Sequence, residues 1–143
     1  MSDHAISNAR AWAGTICEVM TAFTALESGE VESVEFDGST YDDADDLRQR
    51  IDEMPLSVQV RGGWYTPGDS DGFDAKPEEF EILLSTGGPA LRIYGKLNGY
   101  GSVDGAPDLE WQDWGTPWTT YSEETESEVD AICAFAACFW FGE

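Results

Sequence analysis

An excess of negative charge is the feature that most limits how this chain can fold. Its 143 residues include 29 Asp and Glu but only seven Lys and Arg, so the formal net charge at pH 7 is −22. Self-repulsion of this size destabilises a compact state. Hydrophobic residues still make up 41% of the chain, and six of them are Trp, which is enough material for a core. A folded, acidic protein is therefore expected rather than a disordered chain.

The length of the chain is typical of one domain. A chain of this size buries roughly two-thirds of its unfolded surface, so we expect residues 1–143 to form a single acidic domain. No apolar run approaches the roughly eighteen residues of a membrane span. The first ten residues, MSDHAISNAR, also lack the basic and apolar regions of a secretory signal. A cytoplasmic protein is expected.

Three segments place apolar residues at three- and four-residue steps, which is typical of one face of a helix. They run from about Ala5 to Leu26, from Tyr41 to Met54 and from Glu123 to Trp140. The predicted buried face of the first helix comprises Ile6, Ala9, Trp12, Ile16, Val19, Met20, Phe23 and Leu26. That of the last helix comprises Val129, Ile132, Cys133, Ala136, Phe139 and Trp140.

Strands are predicted where apolar and polar residues alternate between turn-forming residues. Four such segments lie at residues 56–60, 80–85, 91–97 and 109–114. The first places Leu56, Val58 and Val60 on one half-buried face, and residues 86–89 form the turn of a hairpin between the second and third. Earlier in the chain, Val31, Val34 and Phe36 form either a short strand or a loop packed onto the core.

This order of elements predicts an α+β fold. We expect an antiparallel four-stranded sheet, a meander, that is packed on one face by the N-terminal and C-terminal helices.

The residues needed for common catalytic sites are missing. The sole histidine, His4, lies near the chain end, so no Ser-His or Cys-His nucleophile is predicted. Cys17, Cys133 and Cys138 lie within apolar helical patterns and do not have zinc-ligand spacing. We therefore predict a protein that is not an enzyme, has buried reduced thiols, and has no cofactor and no metal.

The stretch WQDWGTPWTTY contains an unusual aromatic cluster, formed by Trp111, Trp114, Trp118 and Tyr121. In one interpretation the rings seal the sheet against the last helix. In the other they form an exposed patch in which an aromatic residue such as Trp114 anchors a partner.

Most of the unbalanced acid lies outside the predicted strands, because three of the seven bases, Arg61, Arg92 and Lys96, lie in or beside them. The candidate partner-binding carboxylates form three groups. They are Asp42, Asp43, Asp45 and Asp46 in the first turn of the second helix, Glu30, Glu32, Glu35 and Asp37 before it, and Glu123, Glu124 and Glu126 at the start of the last helix. On a helix, Asp42, Asp45 and Asp46 would lie about 5 to 6 Å apart, near the phosphate spacing along one DNA strand.

Several stretches resemble small uncharacterised proteins that are encoded on phages, plasmids and integrated elements. They are LSVQVRGGWYTPG, FEILLSTGGPALRIYG, LEWQDWGTPWTTY and the terminal FWFGE, within residues 56–143. In charge character the chain is also similar to anti-restriction and anti-CRISPR proteins, several of which mimic DNA by displaying carboxylates at phosphate-like intervals. These resemblances imply a mobile-element protein that acts in a bacterial host cell.

Charge and resemblance together favour an inhibitor that occupies the DNA- or RNA-binding site of a host defence complex as a nucleic-acid mimic. Its partner would be a basic nucleic-acid-binding protein or nuclease complex. Direct binding to nucleic acid or to a membrane is not expected, because both surfaces are anionic.

Two alternatives stay open. One is an immunity or antitoxin-type protein that neutralises a basic toxin through carboxylates around an aromatic anchor. The other is an acidic domain of structural role, whose charge serves solubility or is a halophile adaptation.

Overall fold

The computed structural model describes residues 2–62, 77–86, 90–98, 102–113, 117–122 and 124–139, and these ranges form an α+β fold with three helices and seven strands. In chain order the elements are α1 (Ser2–Ser28), β1 (Val34–Phe36), β2 (Ser39–Tyr41), α2 (Ala44–Glu53), β3 (Ser57–Gly62), β4 (Pro77–Ser85), β5 (Ala90–Leu97), β6 (Val103–Gln112), β7 (Thr119–Thr120) and α3 (Glu126–Ala136).

The main sheet is an antiparallel meander of five strands in the order β3-β4-β5-β6-β7. The predicted meander is therefore confirmed, with the four predicted strands at β3 to β6, although β6 begins at Val103 instead of Leu109. The predicted number of four is wrong, because β7 adds a fifth strand through the pairs Glu110↔Thr120 and Trp111↔Thr119. A strand of two residues is too short to show an alternating pattern in the sequence.

A second sheet is the hairpin of β1 and β2. Asp37 and Gly38 connect these strands and have positive φ angles of 53° and 80°. Positive φ at both central residues defines a type I′ turn, which Asp-Gly favours because Gly has no Cβ and Asp tolerates this region. Of the two interpretations of the segment around Val34 and Phe36, the short strand is the observed one.

The core lies between the main sheet and the helices α1 and α3. Ile82, Ile93 and Leu109 are paired across β4, β5 and β6, so they share one face of the sheet, and all three are fully buried. Both α1 and α3 pack against β6, and α1 also packs against β5 and α3. The N-terminal and C-terminal helices thus cover one face of the sheet, as predicted.

Strand β3 forms one edge of the sheet, and its predicted half-buried face is more exposed than expected. Leu56 is 61% exposed and Val60 is 41% exposed. Alternation in the sequence marks which side chains share a face, but burial needs a covering element. The main packing contacts of α1 and α3 with the sheet are at β5 and β6, so of this face of the edge strand only Val58 is partly buried against the core.

The helix ends differ from the predicted ones by a few residues. The helix α2 begins at Ala44 instead of Tyr41, because Asp43 is extended and acts as its N-cap. The helix α3 begins at Glu126 instead of Glu123, because Thr125 is the N-cap of that helix. Within the described ranges, no helix is long and apolar enough to cross a membrane.

Candidate acidic binding surface

The segment from Glu27 to Glu53 exposes an unusual density of carboxylates. It has eleven acidic side chains, all of them exposed, and only two basic ones, Arg48 and Arg50. We call these eleven residues the acidic surface. They are Glu27, Glu30, Glu32, Glu35, Asp37, Asp42, Asp43, Asp45, Asp46, Asp52 and Glu53. The segment includes the end of α1, the β1–β2 hairpin and α2, and the hairpin and α2 both pack against α1.

Gly29 turns the chain sharply at the end of α1. Its φ is 82°, and its N–H donates to the Leu26 carbonyl at 3.3 Å while the Glu30 N–H donates to the Ala25 carbonyl at 3.0 Å. This pair of bonds is a Schellman motif, which satisfies two carbonyl groups of the last helical turn. The motif directs Glu30 and the following segment away from the helix axis, and Glu30 and Glu32 are exposed there.

The hairpin carries two of the predicted partner-binding residues. Phe36 is buried and holds β1 against the core, whereas its neighbours Glu35 and Asp37 are exposed. This alternation follows from the period of two along a strand. Asp37 lies in the type I′ turn, so the tip of the hairpin presents a carboxylate.

The start of α2 holds the other main group of predicted carboxylates. The Asp43 side chain accepts a hydrogen bond from the Asp45 N–H at 2.9 Å, which caps the helix. Asp45 and Asp46 lie in the first turn, where acids stabilise a helix. Asp42 precedes the cap, so the predicted helical spacing of Asp42, Asp45 and Asp46 is wrong. The sequence pattern does not show where this helix begins, because an Asp at position 43 is compatible both with the first helical turn and with the N-cap before it.

Both arginines of this segment hold other elements in place. Arg50 Nη2 pairs with Asp37 Oδ2 at 2.8 Å, and the guanidinium carbon lies 5.9 Å from the centroid of the Phe36 ring. Arg48 donates a hydrogen bond to the Cys138 carbonyl oxygen, just beyond α3, and lies 3.6 Å from Asp52. These contacts tie α2 to the hairpin and to the end of α3, and most of the acidic surface stays unneutralised by them.

The start of α3 contains the third predicted group. Thr125 and Glu128 form a reciprocal capping box, and Glu126 is exposed in the first turn. Glu124 is half-buried, and its Oε2 has no hydrogen-bond partner among the described residues. Burial raises the pKa of the Glu124 carboxyl, and nearby Asp108 and Glu128 add to this. Glu124 is therefore not the freely exposed carboxylate that the sequence predicted.

Two residues of the predicted site, Trp114 and Glu123, lie outside the described residues. The structure brings Glu35 close to the start of α3, since Glu35 and Glu128 line the same groove on α1. It does not place the acids of α2 there, because α2 contacts the opposite end of α3 through Arg48 and Cys138. The eleven residues of α3 separate these ends by about 16 Å.

Three exposed carboxylates of the acidic surface, Glu27, Asp52 and Glu53, are absent from the predicted set. Their only signal in the sequence is their charge, because neither a cap nor a turn marks them.

On the other side of the main sheet, two arginines pair with three carboxylates. Register places Arg92 opposite Glu110, with Glu81 on the neighbouring strand, and the guanidinium nitrogens lie 2.7 Å from both carboxylates. The Arg92 guanidinium also lies 4.6 Å from the Tyr94 ring and 4.2 Å from the Trp118 ring. A second pair, Arg61 and Glu79, lies on the same side, where the hydrogen bond from Arg61 lowers the pKa of Glu79. We call these seven residues the open sheet face.

The aromatic cluster therefore divides between two environments. Trp111 and Tyr121 are buried in the core, which agrees with the structural interpretation. Trp118 lies on the open sheet face, where its ring stacks on Arg92.

The three cysteines are free, but each is only half-buried, so the predicted burial of their thiols is wrong. Burial raises the pKa of the Cys133 and Cys138 thiols, which lowers the fraction of reactive thiolate. Among the described residues, no group of three or more His, Cys, Asp or Glu side chains is placed to hold a metal ion.

Comparison with family models, curated proteins and solved structures gives no match to this chain. The relation to mobile-element proteins therefore stays a prediction.

Proposed function

We propose that the chain is a non-enzymatic inhibitor that occupies the nucleic-acid-binding site of a host defence complex, such as a CRISPR or restriction nuclease. In this proposal the acidic surface takes the place of DNA or RNA phosphates, and Lys and Arg side chains of the target pair with it. Counterion release would then drive binding, as it does for nucleic acid itself.

One observation carries the proposal, namely the eleven exposed carboxylates of the acidic surface opposed by two arginines. These residues lie within 27 consecutive positions of the chain, where the acids outnumber the bases by nine. A basic nucleic-acid-binding site would therefore meet a locally high excess of negative charge, as it does on nucleic acid.

The way these carboxylates are held also supports the proposal. They lie on or beside a hairpin and a capped helix, which pack on α1 through the buried residues Phe36, Leu47 and Ile51. Carboxylates that are positioned before binding lose less conformational freedom on contact with a rigid basic site.

The antitoxin-type alternative has less support, since it needs an aromatic anchor. Of the described rings in the predicted cluster, Trp111 and Tyr121 are buried and Trp118 is stacked on Arg92.

The test begins with affinity capture of basic proteins from a bacterial lysate, with and without added duplex DNA, followed by purification of the captured complex. Competition between the chain and labelled nucleic acid for this complex is then measured by fluorescence anisotropy. We expect direct competition that weakens steeply with salt, since paired surface charges are screened. The purified chain alone should not shift DNA.

Two matched triple variants locate the surface. The first is Asp42→Asn, Asp45→Asn and Asp46→Asn, which keeps the Asp43 cap. The second is Glu78→Gln, Asp104→Asn and Asp108→Asn, which removes the same charge from exposed positions of the main sheet. The first should weaken competition by about tenfold, or about 1.4 kcal/mol, and the second far less. Equal effects would show that net charge alone acts, and binding of DNA by the chain itself would refute the proposal.

A further inference from the structure

A groove on the solvent side of α1 combines an apolar floor with an acidic rim. It is broad and open to solvent, has a volume of about 720 Å³, and lies between α1, the strand β1 and the start of α3. Its floor includes Gly14, Cys17, Ala22 and Ala25 of α1 and Val34 of β1. We call it the α1 groove. From Gly14 to Ala25 it follows about three turns of α1, or about 16 Å.

Gly14 in this groove has no packing role within the described chain. It is exposed near the middle of the 27-residue helix α1, and a Cβ at this position would meet nothing within 4 Å. Glycine in a helix interior costs about 1 kcal/mol relative to alanine. A residue without a side chain is of use where another backbone approaches closely. The floor of the groove is therefore shaped for a partner segment that lies directly on α1.

The rim of the α1 groove indicates the charge of that segment. Glu18, Glu35 and Glu128 line it, and within the described residues no Lys, Arg or His does. Glu18 and Glu35 are exposed. A second copy of this chain would bring further negative charge, and an anionic membrane surface would be repelled as well. An amphipathic helix with an apolar stripe flanked by Lys and Arg matches both the floor and the rim.

We propose that the α1 groove binds a basic amphipathic helix of the target protein, in addition to the contacts of the acidic surface. This proposal rests on the proposed function in one respect, that the target is a basic protein. The apolar floor supplies the part of the recognition that nucleic acid does not share, so it selects one basic protein among many.

The first experiment uses a synthetic 18-residue peptide, acetylated and amidated, with a Leu and Ala stripe flanked by Lys. A scrambled peptide of the same composition is the control for charge alone. Isothermal titration should give at least tenfold tighter binding of the helical peptide. Amide chemical shifts of Gly14, Ala22 and Ala25 should change most on its addition. Equal affinity of the two peptides, or shifts confined to α2, would overturn the proposal.

Two variants of α1 separate the groove from the rest of the surface. Gly14→Leu fills the groove and also raises helix propensity, so the fold is kept. Ser7→Leu adds the same side chain to the exposed side of α1 two turns earlier, outside the groove. Gly14→Leu should weaken helical peptide binding at least tenfold, and Ser7→Leu should not change it.

The same variants in the competition assay distinguish this proposal from the proposed function. If the parent and Gly14→Leu compete with nucleic acid equally well, the groove proposal fails and the proposed function stands. If the parent does not compete at all, the proposed function fails whatever the peptide result.

Discussion

The acidic surface and the open sheet face handle charge in opposite ways. On the sheet, antiparallel register sets each of two guanidiniums, Arg61 and Arg92, directly across from a carboxylate. On the acidic surface, eleven carboxylates meet two arginines, and both arginines tie neighbouring elements together. Nine of the 22 net negative charges lie on the acidic surface, where no arginine faces these carboxylates across a pair of strands.

The two regions also differ in what they contribute to the stability of the fold. Arg92 is held between two carboxylates and two aromatic rings, so the open sheet face stabilises the fold. The carboxylates of the acidic surface repel one another and give little to stability. A partner that neutralises them would relieve this repulsion.

The largest expected loss of stability comes from replacing Arg92, and the matched control replaces Arg50. The Arg92 side chain is 17% exposed, so Arg92→Met leaves Glu81 and Glu110 half-buried without their cation. We expect a loss of about 2 to 3 kcal/mol in the free energy of unfolding, below the value for fully buried pairs. Arg50→Met is the control, because the Arg50 pair with Asp37 is more exposed. It should cost about 1 kcal/mol or less by urea denaturation. Equal losses would contradict the division between the two regions.

A smaller effect is expected from salt. Raising the ionic strength from 0.01 to 0.1 M shortens the screening length from about 30 to about 10 Å. The parent should gain about 1 kcal/mol of stability, from several like-charge pairs worth a few tenths each. The triple variant at Asp42, Asp45 and Asp46 should respond less than the triple variant on the sheet. A protein that unfolds in all but molar salt would instead support the halophile alternative.

The smallest expected change in stability comes from replacing Glu124. Because its pKa is raised, the folded protein holds this proton more tightly than the unfolded chain does. Stability therefore falls as the pH rises from the ordinary carboxyl range through the raised pKa. Glu124→Gln should be more stable than the parent at pH 7.5 by about 0.5 kcal/mol or less, and the gap should narrow at pH 5. Thermal melting at the two pH values measures this, with Glu126→Gln as the exposed control. A gap that widens at pH 5 would reverse the assigned direction.

The three helices and the four longer strands of the main sheet could be predicted from the sequence, whereas the two-residue strand β7 and the partner strand β2 could not. Helical periodicity located α1 and α3, and alternation located β3 to β6. The prediction of which residues of α1 and α3 face the core was less accurate. Ala5, Ala13 and Phe135 are fully buried although the pattern did not select them, whereas Trp12 and Phe23 are half-buried. Which residues of a helix face inward depends on the elements that pack around it, and the hydrophobicity of the sequence alone does not show this.

The sequence predicts which residues of the candidate site are charged, but it does not predict how they are arranged in space. The exposed carboxylates at Glu30, Glu32, Glu35 and Asp37 follow from charge alone. The Asp-Gly pair that forms the turn at Asp37 is a known hairpin signal, so this turn is visible in the sequence. The cap at Asp43, the half-buried Glu124 and the α1 groove depend on contacts between distant segments, which no local pattern contains.

The end of α1 has one more consequence for recognition. The helix has no basic residue in its last turn, and Glu27 and Glu30 lie beside its carbonyl groups. Aligned peptide dipoles place about half a negative charge at this end, so the helix adds to the field of these acids. At the starts of α2 and α3 the dipole acts in the opposite sense, because the acids of the first turn lie at the positive end of each helix. A cationic side chain of a partner is therefore attracted to the point where α1 ends by the helix dipole as well as by the charges of Glu27 and Glu30.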